Sequence, residues 1–515
     1  MSEPPSFLDV LVEHAERAPG APFVLSPDSG GTLSYGGMAA IAARLDAAFG
    51  SWGIGRGEVV AFMLPNGIAA ASAFVGTMAA GRVVAPFNLL AQDAHLDHVL
   101  RHAGPRAIFA SDEHAPRLRD ALARTGVDAR LVVTSPDELA LPGDRSSAPA
   151  PVDPHAGAML MYTSGTTGLP KGVMLTHANM LHAGRAVAAH QSLGPRDRVL
   201  TSLPLYHING QCIACASTLA SGGSLVLPYR FSASQWWPQV ERYRPTWLNL
   251  VPTIVAYLLN GPDLTPGQRE AAASVRFARS ASAPLPPDQQ RAFGARFGIP
   301  LVEAMGLTET ASIAFCNPMP RPPGGAPVGG GPERKIGSAG RPLGIEARVV
   351  APDGRVLGDG ETGEIELRGP SAMRGYHRAE PGAKPPLNAE GWLATGDLGH
   401  RDADGFYFIT GRLKELIIKG GENIAPREID EALLRHPEVL EAAAVGVPDR
   451  DYGQEILACI VVKPGRALTT GDVLAHCLRE LGRYKSPRYV RFVDALPQGP
   501  SGKVQRMKLA EGFAP

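Results

Sequence analysis

The sequence has few cysteines, no surplus of charge and no long apolar run. Five cysteines are scattered over 515 residues, and this small, odd number suits a reducing compartment. Fifty basic and fifty acidic side chains cancel, so no basic excess argues for nucleic acid or an anionic membrane. No stretch approaches the roughly 18 apolar residues of a membrane span. The N-terminus, MSEPPSFLDV, lacks the basic and apolar segments of a signal peptide. A cytoplasmic protein is therefore expected.

Two of the cysteines, Cys212 and Cys215, form a C-x-x-C inside NGQCIACAST. A zinc or redox site would need a second ligand pair or a redox βαβ context, and the sequence offers neither. Buried thiols facing an apolar interior are the favoured interpretation.

The chain is long enough for two to four folding units. Its 59 glycines and 47 prolines predict short elements and many loops. Helical spacing over 35–53 is followed by a buried strand at 57–65, and helix, glycine and strand recur over 72–88. Further strands are expected within 223–229 and 245–252. This alternation predicts an α/β fold whose N-terminal part consists of parallel βαβ units.

The pattern changes in the last third of the chain. The segment 321–334, rich in glycine and proline, is predicted to be a mobile surface loop. A β-rich subdomain with Asp-Gly turns at 353–354 and 404–405 follows. Beyond it, helices and strands alternate in a small α+β domain. We expect an N-terminal domain over 1–411 and a mobile C-terminal domain over 412–515.

The segment YTSGTTGLPKG, residues 162–172, follows an apolar run and combines glycines, hydroxyls and a lysine. Such a loop can direct backbone N–H groups and hydroxyls at a phosphate, although a plain connector has a similar composition. The P-loop pattern fails, because Pro170 stands where its second glycine belongs. The dinucleotide G-x-G-x-x-G pattern is absent as well.

Five other segments accompany this loop in order along the chain. They are LPLYHINGQ (203–211), MGLTET (305–310), GWLATGDLG (391–399), GRLKELIIKGGENIAPREID (411–430) and GPSGKVQR (499–506). Together with YTSGTTGLPKGVMLTHANM (162–180), they resemble the AMP-forming acyl-CoA synthetases. That acyl-adenylate superfamily also contains luciferases and peptide-synthetase adenylation domains.

The resemblance implies an acid-thiol ligase that uses ATP, Mg²⁺ and coenzyme A. A carboxylate is first attached to the α-phosphate of ATP with release of pyrophosphate, and a thiol then displaces AMP. The first step drives negative oxygens towards a polyphosphate, so its catalysis is largely positioning and electrostatics. The implied catalytic residues are Lys503, Thr308, Glu309 and His207, with Glu309 also holding Mg²⁺.

The resemblance also assigns ligand-binding residues. The nucleotide set is Thr163, Ser164, Gly165, Thr166, Thr167, Gly168, Lys171, Ser282, Ala283, Pro284, Ala304, Met305, Gly306, Asp397, Ile409 and Arg412. Lys414 corresponds to the hinge about which the small domain rotates between the steps. The coenzyme A set is Gly420, Gly421, Glu422 and Asn423. The acyl pocket is His207, Asn209, Gly210, Gln211, Asn249, Val251, Ser312 and Ile313.

Taken alone, several of these residues have ordinary explanations. Asp397 beside Gly396 suits a turn, Arg412 suits a surface ion pair, and a lysine near a C-terminus is usually solvated. His207 could equally be a core histidine bonded to a loop carbonyl.

Two departures from the family pattern bear on activity. Met305 stands where a tyrosine usually stacks on adenine, and such stacking is worth roughly 1–3 kcal/mol. SASAPL at 280–285 replaces a Gly-Gly pair with bulkier residues. A specialised-metabolism ligase that performs mainly the thioester step on a supplied adenylate therefore stays open, as does an adenylation enzyme that loads a carrier protein.

The acid itself is the least determined feature. No cation stands out as the partner of a second acidic group except Arg279 at the pocket edge, which favours a mainly apolar monocarboxylate. SASAPL and GGENIAP also resemble the oxalyl-CoA branch, which points towards small acids. A homodimer is possible, since dimers are common in such enzymes.

Overall fold

The computed structural model describes residues 3–143, 147–163, 170–319, 333–379, 385–498, 504–511 and 513. Its helices are α1 (Phe7–Arg17), α2 (Tyr35–Ser51), α3 (Ile68–Ala79), α4 (Asp93–Ala103), α5 (Ala115–Thr125), α6 (His177–His190), α7 (Ser217–Ser221), α8 (Ala233–Tyr243), α9 (Pro252–Leu259), α10 (Pro266–Ala273), α11 (Pro287–Phe297), α12 (Pro426–Leu434), α13 (Thr470–Lys485) and α14 (Arg506–Ala510). A π-helix spans Asn209–Ala216 and a 3-10 turn spans Thr308–Thr310.

The strands form four sheets. They are β1 (Pro22–Leu25), β2 (Thr32–Ser34), β3 (Val59–Met63), β4 (Val83–Pro86), β5 (Ala107–Ala110), β6 (Arg130–Val133), β7 (Gly157–Thr163), β8 (Lys171–Thr176), β9 (Arg198–Leu200), β10 (Ser224–Val226), β11 (Trp247–Leu250), β12 (Phe277–Ser280), β13 (Leu301–Met305), β14 (Phe315–Cys316), β15 (Arg341–Pro342), β16 (Glu346–Val350), β17 (Gly363–Arg368), β18 (Gly375–Tyr376), β19 (Leu393–Arg401), β20 (Tyr407–Arg412), β21 (Ile417–Lys419), β22 (Glu422–Ile424), β23 (Val439–Asp449), β24 (Gly453–Val462) and β25 (Tyr489–Phe492).

Two largely parallel sheets form the N-terminal part of the molecule. One has the order β18-β8-β7-β4-β3-β5-β6, and the other runs β15-β14-β13-β12-β11-β9-β10-β1-β2. Strands β3, β4 and β5 are buried along their whole length, and so is helix α3. Continuous apolar runs such as VVAFM suit strands covered by helices on both faces. The predicted α/β class with βαβ units is confirmed.

Strands β11, β12 and β13 run side by side and in parallel in the second sheet. Asn249 pairs with Arg279, and Ser280 pairs with Glu303. Because side chains alternate between faces along a strand, Arg279 and Glu303 lie on opposite faces of this sheet. Strand β13 leads through Gly306 into the 3-10 turn that carries Thr308 and Glu309.

The last third of the chain contains the two predicted β-rich parts. Strands β16, β17, β19 and β20 form an antiparallel sheet, and β21 to β25 form a second sheet with α12 and α13. Two apolar clusters are drawn entirely from residues beyond 416. The division at 411 and 412 stays a prediction.

Two predicted loops lie partly outside the described residues. Residues 320–332 cover most of the expected surface loop, and residues 164–169 cover most of the expected phosphate loop. Cys212 and Cys215 lie in the π-helix, fully buried and unoxidised. Burial raises the pKa of the Cys215 thiol to about 12. The interpretation of these residues as buried thiols is confirmed.

Candidate active site

A cleft of about 650 Å³ joins segments from all parts of the chain. The predicted site residues that line it are Thr163, Lys171, His207, Thr308, Glu309, Arg412 and Lys414. These residues come from four separate segments of the sequence, so the fold assembles them into one site.

The base of the predicted phosphate loop closes one wall of the cleft. Thr163 ends β7 and Lys171 begins β8, and the two residues are paired across the hairpin. Ser164, Gly165, Thr166, Thr167 and Gly168 lie outside the described residues. The strands therefore direct both ends of the loop into the cleft.

Glu309 lies beside a tyrosine that sequence analysis did not identify. The hydroxyl of Tyr376 donates to Glu309 Oε1 over 3.2 Å, and Lys171 Nζ lies 5.2 Å from the centre of the Tyr376 ring. Burial, reinforced by the charge of Glu309, raises the pKa of Tyr376. Strand β18 pairs with β8, which explains this contact, but its two residues give no strand pattern in the sequence.

Asp397 and Arg412 are paired residues of β19 and β20. Arg412 Nε donates to Asp397 Oδ1 over 2.7 Å, and the charge of Asp397 raises the pKa of Arg412. Asp397 is 2% exposed, and its Oδ2 accepts no hydrogen bond from the described residues. One carboxylate oxygen is thus held by Arg412, while the other is buried without a donor among the described residues.

A buried polar row continues from His207 into the second sheet. The backbone N–H of Asn209 donates to His207 Nδ1 over 3.3 Å. Asn249 Nδ2 then donates to Asn209 Oδ1, and Asn209 Nδ2 donates to Ser282 Oγ, each over 3.0 Å. Gln211, also fully buried, donates to the carbonyl of Leu205. The predicted acyl-pocket residues Asn209 and Asn249 are therefore in contact with each other.

The C-terminal segment reaches the same cleft. Gln498, Gln505 and Lys508 line it beside Arg412 and Lys414. Lys503 lies outside the described residues, within the gap 499–503. An antiparallel bridge between Gln498 and Val504 fixes both ends of that gap next to the cleft.

Comparison with known proteins agrees with this arrangement. The AMP-binding enzyme family matches residues 11–377, and its C-terminal domain matches residues 428–503. The chain belongs to the AMP-binding enzymes. It is 52% identical to a sulfoacetate–CoA ligase of Cupriavidus necator over 97% of this chain and 96% of the relative. It is 34% identical to an oxalate–CoA ligase of Arabidopsis thaliana, over 90% and 89% of the two chains.

A solved structure has the same architecture. ATP-bound MatB from Rhodopseudomonas palustris superposes with a TM-score of 0.85 at 30% identity, covering 98% of both chains. This AMP-binding enzyme is thus an AMP-forming acyl-CoA synthetase, which joins an acid to coenzyme A through an acyl-adenylate. The alternatives of a ligase limited to the thioester step and of a carrier-loading enzyme are not favoured.

Not all residues predicted for this AMP-binding enzyme border the cleft. The predicted adenine residues Ser282, Ala283, Pro284, Ala304, Met305, Gly306 and Ile409 are absent from its lining. Met305 and Ile409 pack instead on an apolar cluster of the β-rich subdomain. Gly306 is required sterically, since a Cβ there would overlap the carbonyl of Ser312.

The predicted coenzyme A residues form a tight hairpin between β21 and β22, away from the cleft lining. Gly420 and Gly421 have φ values of +56° and +88°, which glycine adopts without strain. Glu422 and Asn423 are exposed residues at the start of β22. In this arrangement the C-terminal segment, rather than this hairpin, faces the cleft.

A histidine cluster supports the phosphate-loop hairpin. His102 Nδ1 lies 2.8 Å from the hydroxyl of Tyr162, and His98 Nε2 lies 3.0 Å from the carbonyl of Pro170. The rings of His102 and His377 are 5.4 Å apart, and burial lowers the pKa of both. The cluster comes from three distant segments, so no local pattern in the sequence could have revealed it.

Among the described residues, no helix is long and apolar enough to cross a membrane. No group of three or more histidine, cysteine or acidic side chains could hold a metal there.

Proposed function

We propose that this acyl-CoA synthetase activates a short carboxylic acid that carries a second acidic group, with sulfoacetate as the first candidate. The 52% identity to a sulfoacetate–CoA ligase supports this choice, and the 34% identity to an oxalate–CoA ligase also favours a small dianion. Sequence analysis favoured a mainly apolar monocarboxylate, because no cation except Arg279 stood out as a partner for a second acidic group. The structure buries Arg279 completely and does not place it in the cleft lining, so the support for a second acidic group comes from these relatives.

The observation that carries the mechanism is the convergence of Lys171, Thr308, Glu309 and Arg412 in one cleft. Lys171 and Thr163 hold the loop that binds the β- and γ-phosphates. Thr308 bonds the α-phosphate, and the acid oxygen attacks the α-phosphorus as pyrophosphate leaves. Positioning of these groups supplies most of the rate enhancement.

Asp397 and Arg412 bind the ribose end of the nucleotide. The unpartnered Oδ2 of Asp397 accepts a ribose hydroxyl, while Arg412 fixes the other oxygen. Because a buried carboxylate oxygen without a donor is costly, the ribose hydroxyl replaces a missing hydrogen bond.

A magnesium ion fits this site when it binds together with ATP, because the phosphate oxygens supply ligands that the protein does not. Glu309 is the carboxylate that would hold it, with phosphate oxygens and water as the other ligands. Bound there, Mg²⁺ would neutralise charge on the phosphates of ATP.

Lys503 completes the first step, and a rotation about Lys414 precedes the second. Gln498 and Gln505, which flank Lys503 in the sequence, line the cleft, and this supports a role for Lys503 at the acid and the α-phosphate. Rotation of the domain over 412–515 would then exchange this segment for the hairpin of Gly420 and Gly421, which admits coenzyme A. Cytoplasmic location, a homodimer and a role in specialised metabolism stay predictions.

A two-product assay tests this proposal. The protein is incubated with ATP, Mg²⁺, coenzyme A and sulfoacetate, oxalate, malonate, acetate or benzoate, and pyrophosphate and acyl-CoA are measured separately. We expect both products in equal amounts, with sulfoacetate giving the highest kcat/KM. A preference for acetate or benzoate would contradict the substrate, and acyl-CoA from preformed adenylates alone would contradict the two-step cycle.

A further inference from the structure

A cluster of three histidines packs against the hairpin that carries the predicted phosphate loop. His98 and His102 lie one turn apart on α4, and the centres of their stacked rings are 5.6 Å apart. His377 follows β18, and its ring meets that of His102 edge to face at 5.4 Å. The cluster thus joins α4 to the end of β18, two segments that are far apart in the sequence.

Two of these rings contact the two sides of the hairpin. His98 Nε2 lies 3.0 Å from the carbonyl oxygen of Pro170, just before β8. His102 Nδ1 lies 2.8 Å from the hydroxyl of Tyr162 on β7. Pro170 and Tyr162 both line the cleft, and each directly precedes a cleft residue assigned to the phosphates. Helix α4 therefore contacts the hairpin on both sides of the loop.

The third histidine contacts the hairpin through its backbone. The N–H of His377 donates to the carbonyl of Gly172 over 2.8 Å. A Cβ on Gly172 would lie 3.4 Å from both His102 Cε1 and His377 Cβ, so the two histidines pack directly on this strand. His377 follows Tyr376, whose hydroxyl donates to Glu309. The cluster therefore connects the hairpin with the carboxylate assigned to Mg²⁺.

The surroundings of the rings determine their protonation. A carbonyl oxygen only accepts hydrogen bonds, so His98 Nε2 carries the hydrogen of its contact. Burial lowers the pKa of both His102 and His377, and the neighbouring guanidinium of Arg378 lowers both further. Uncharged rings are therefore favoured at neutral pH. A side-chain amide, which is also uncharged, can then replace either contacting nitrogen.

We propose that His98 and His102 are positioning residues that hold the phosphate-loop hairpin in its ATP-binding position. Neither ring lines the cleft, so both act on ATP through the hairpin residues that they contact. This inference rests on the proposed function, because that function places the β- and γ-phosphates at Thr163 and Lys171. Adenylation then depends on the cluster. The thioester step does not, since an acyl-adenylate contains only the α-phosphate.

Paired variants separate this role from simple packing. His98→Ala and His102→Ala remove the contacts, whereas His98→Gln and His102→Asn place an amide near the position of the contacting ring nitrogen. Tyr162→Phe removes the hydroxyl that contacts His102. His182→Ala is the matched control, because His182 Nε2 lies 2.7 Å from the carbonyl of Gly344, a contact of the same kind away from the cleft lining.

We expect each alanine variant to raise KM for ATP roughly three- to tenfold, as loss of one hydrogen bond typically does. KM for the acid and the rate of thioester formation from a preformed acyl-adenylate should not change. His98→Gln and His102→Asn should restore the wild-type KM for ATP. Tyr162→Phe should raise this KM, and adding it to His102→Ala should cause no further increase, because both remove the same contact.

An unchanged KM for ATP in the alanine variants, or failure of the amide variants to restore it, would overturn the proposal. Equal loss of both half-reactions together with a lower Tm would also overturn it, because that result indicates general destabilisation.

Calorimetric titration with ATP and Mg²⁺ in the absence of any acid tests the same contacts without turnover. Weaker ATP binding in His98→Ala and His102→Ala, but not in His182→Ala, would support the proposal, and equal binding in all of them would overturn it. If the wild-type protein were inactive on every acid, the proposed function would be refuted. The titration would still report on the histidine cluster.

Discussion

The two ends of the cleft treat charge differently. At the end assigned to the nucleotide, Asp397 pairs with Arg412, and Glu309 accepts a hydrogen bond from Tyr376. At the end assigned to the acid, Asn209, Asn249 and Ser282 form an uncharged hydrogen-bonded row that continues from His207. Paired charges hold their geometry before any ligand binds, whereas neutral amides and a hydroxyl offer donors and acceptors without a fixed charge. The nucleotide end therefore suits a cofactor that is the same for every substrate, and the acid end suits selection among acids.

The largest expected effect comes from Lys503, the proposed contact of both the acid carboxylate and the α-phosphate. Lys503→Ala should lower the adenylation rate about 1000-fold, because its charge offsets the acid carboxylate and the α-phosphate as they approach. Thioester formation from a preformed adenylate should be largely retained. Pyrophosphate release and acyl-CoA formation, measured separately, check this expectation. Lys485→Ala is the control, because this lysine pairs with Glu428 on the surface. Equal loss of both steps would refute the role of Lys503.

A second test concerns Glu303, which lies across the sheet from Arg279. Burial raises the pKa of Glu303 to about 7 from an unfolded value of 4.5. The folded state therefore binds the proton more tightly, and stability is lost as pH rises from about 4.5 to 7, by about 3 kcal/mol. Glu303→Gln should remove this loss.

Urea unfolding of both proteins between pH 4.5 and 8 measures the difference in unfolding free energy. That difference should grow with pH and level off above pH 7. The exposed Glu16→Gln variant should show no such trend. A flat difference for Glu303→Gln would show that the carboxyl group titrates normally.

The pairing at the nucleotide end is tested by Asp397→Asn. We expect KM for ATP to rise roughly 30-fold, because the amide can neither pair with Arg412 by charge nor accept at two oxygens. The KM for the acid should change little. Steady-state kinetics with each substrate varied in turn would check this, and a larger effect on the acid would contradict the assignment of the two ends.

A gain of affinity is expected from Met305→Tyr, which restores the ring that usually covers adenine. Stacking should lower KM for ATP about tenfold. Since Met305 packs on the β-rich subdomain, the ring must fit beside Ile409. An unchanged KM together with an unchanged Tm would show that adenine does not lie over residue 305.

The smallest effect is expected from Tyr376→Phe, which removes the hydrogen bond to Glu309 and keeps the ring near Lys171. A few-fold rise in the Mg²⁺ concentration needed for half-maximal activity should follow, since Glu309 loses a positioning contact. If Tyr376→Phe and the wild-type protein have the same activity at every Mg²⁺ concentration, Tyr376 has no role in the site.

The sequence by itself determined the family and many elements, because these depend on local patterns. Helix α2, strand β3 and the Gly420–Gly421 turn follow from apolar spacing and glycine placement within single segments. The motif around Lys171 and the Thr308–Glu309 pair identified the chemistry for the same reason. For Asp397, the local sequence predicted a position in a turn just as readily as a role in a ligand-binding site.

Only the tertiary structure decided which side chains meet. The contact of Tyr376 with Glu309 joins strands far apart in the sequence, and the histidine cluster around His102 joins three segments. Arg279 appeared from the sequence to lie at an edge, because local pattern does not reveal burial within a sheet. Its isolation from carboxylates depends on the register of three strands, which places Glu303 on the opposite face. Charge compensation is a property of the packed sheet, so no single segment could have shown that this arginine lacks an acidic partner.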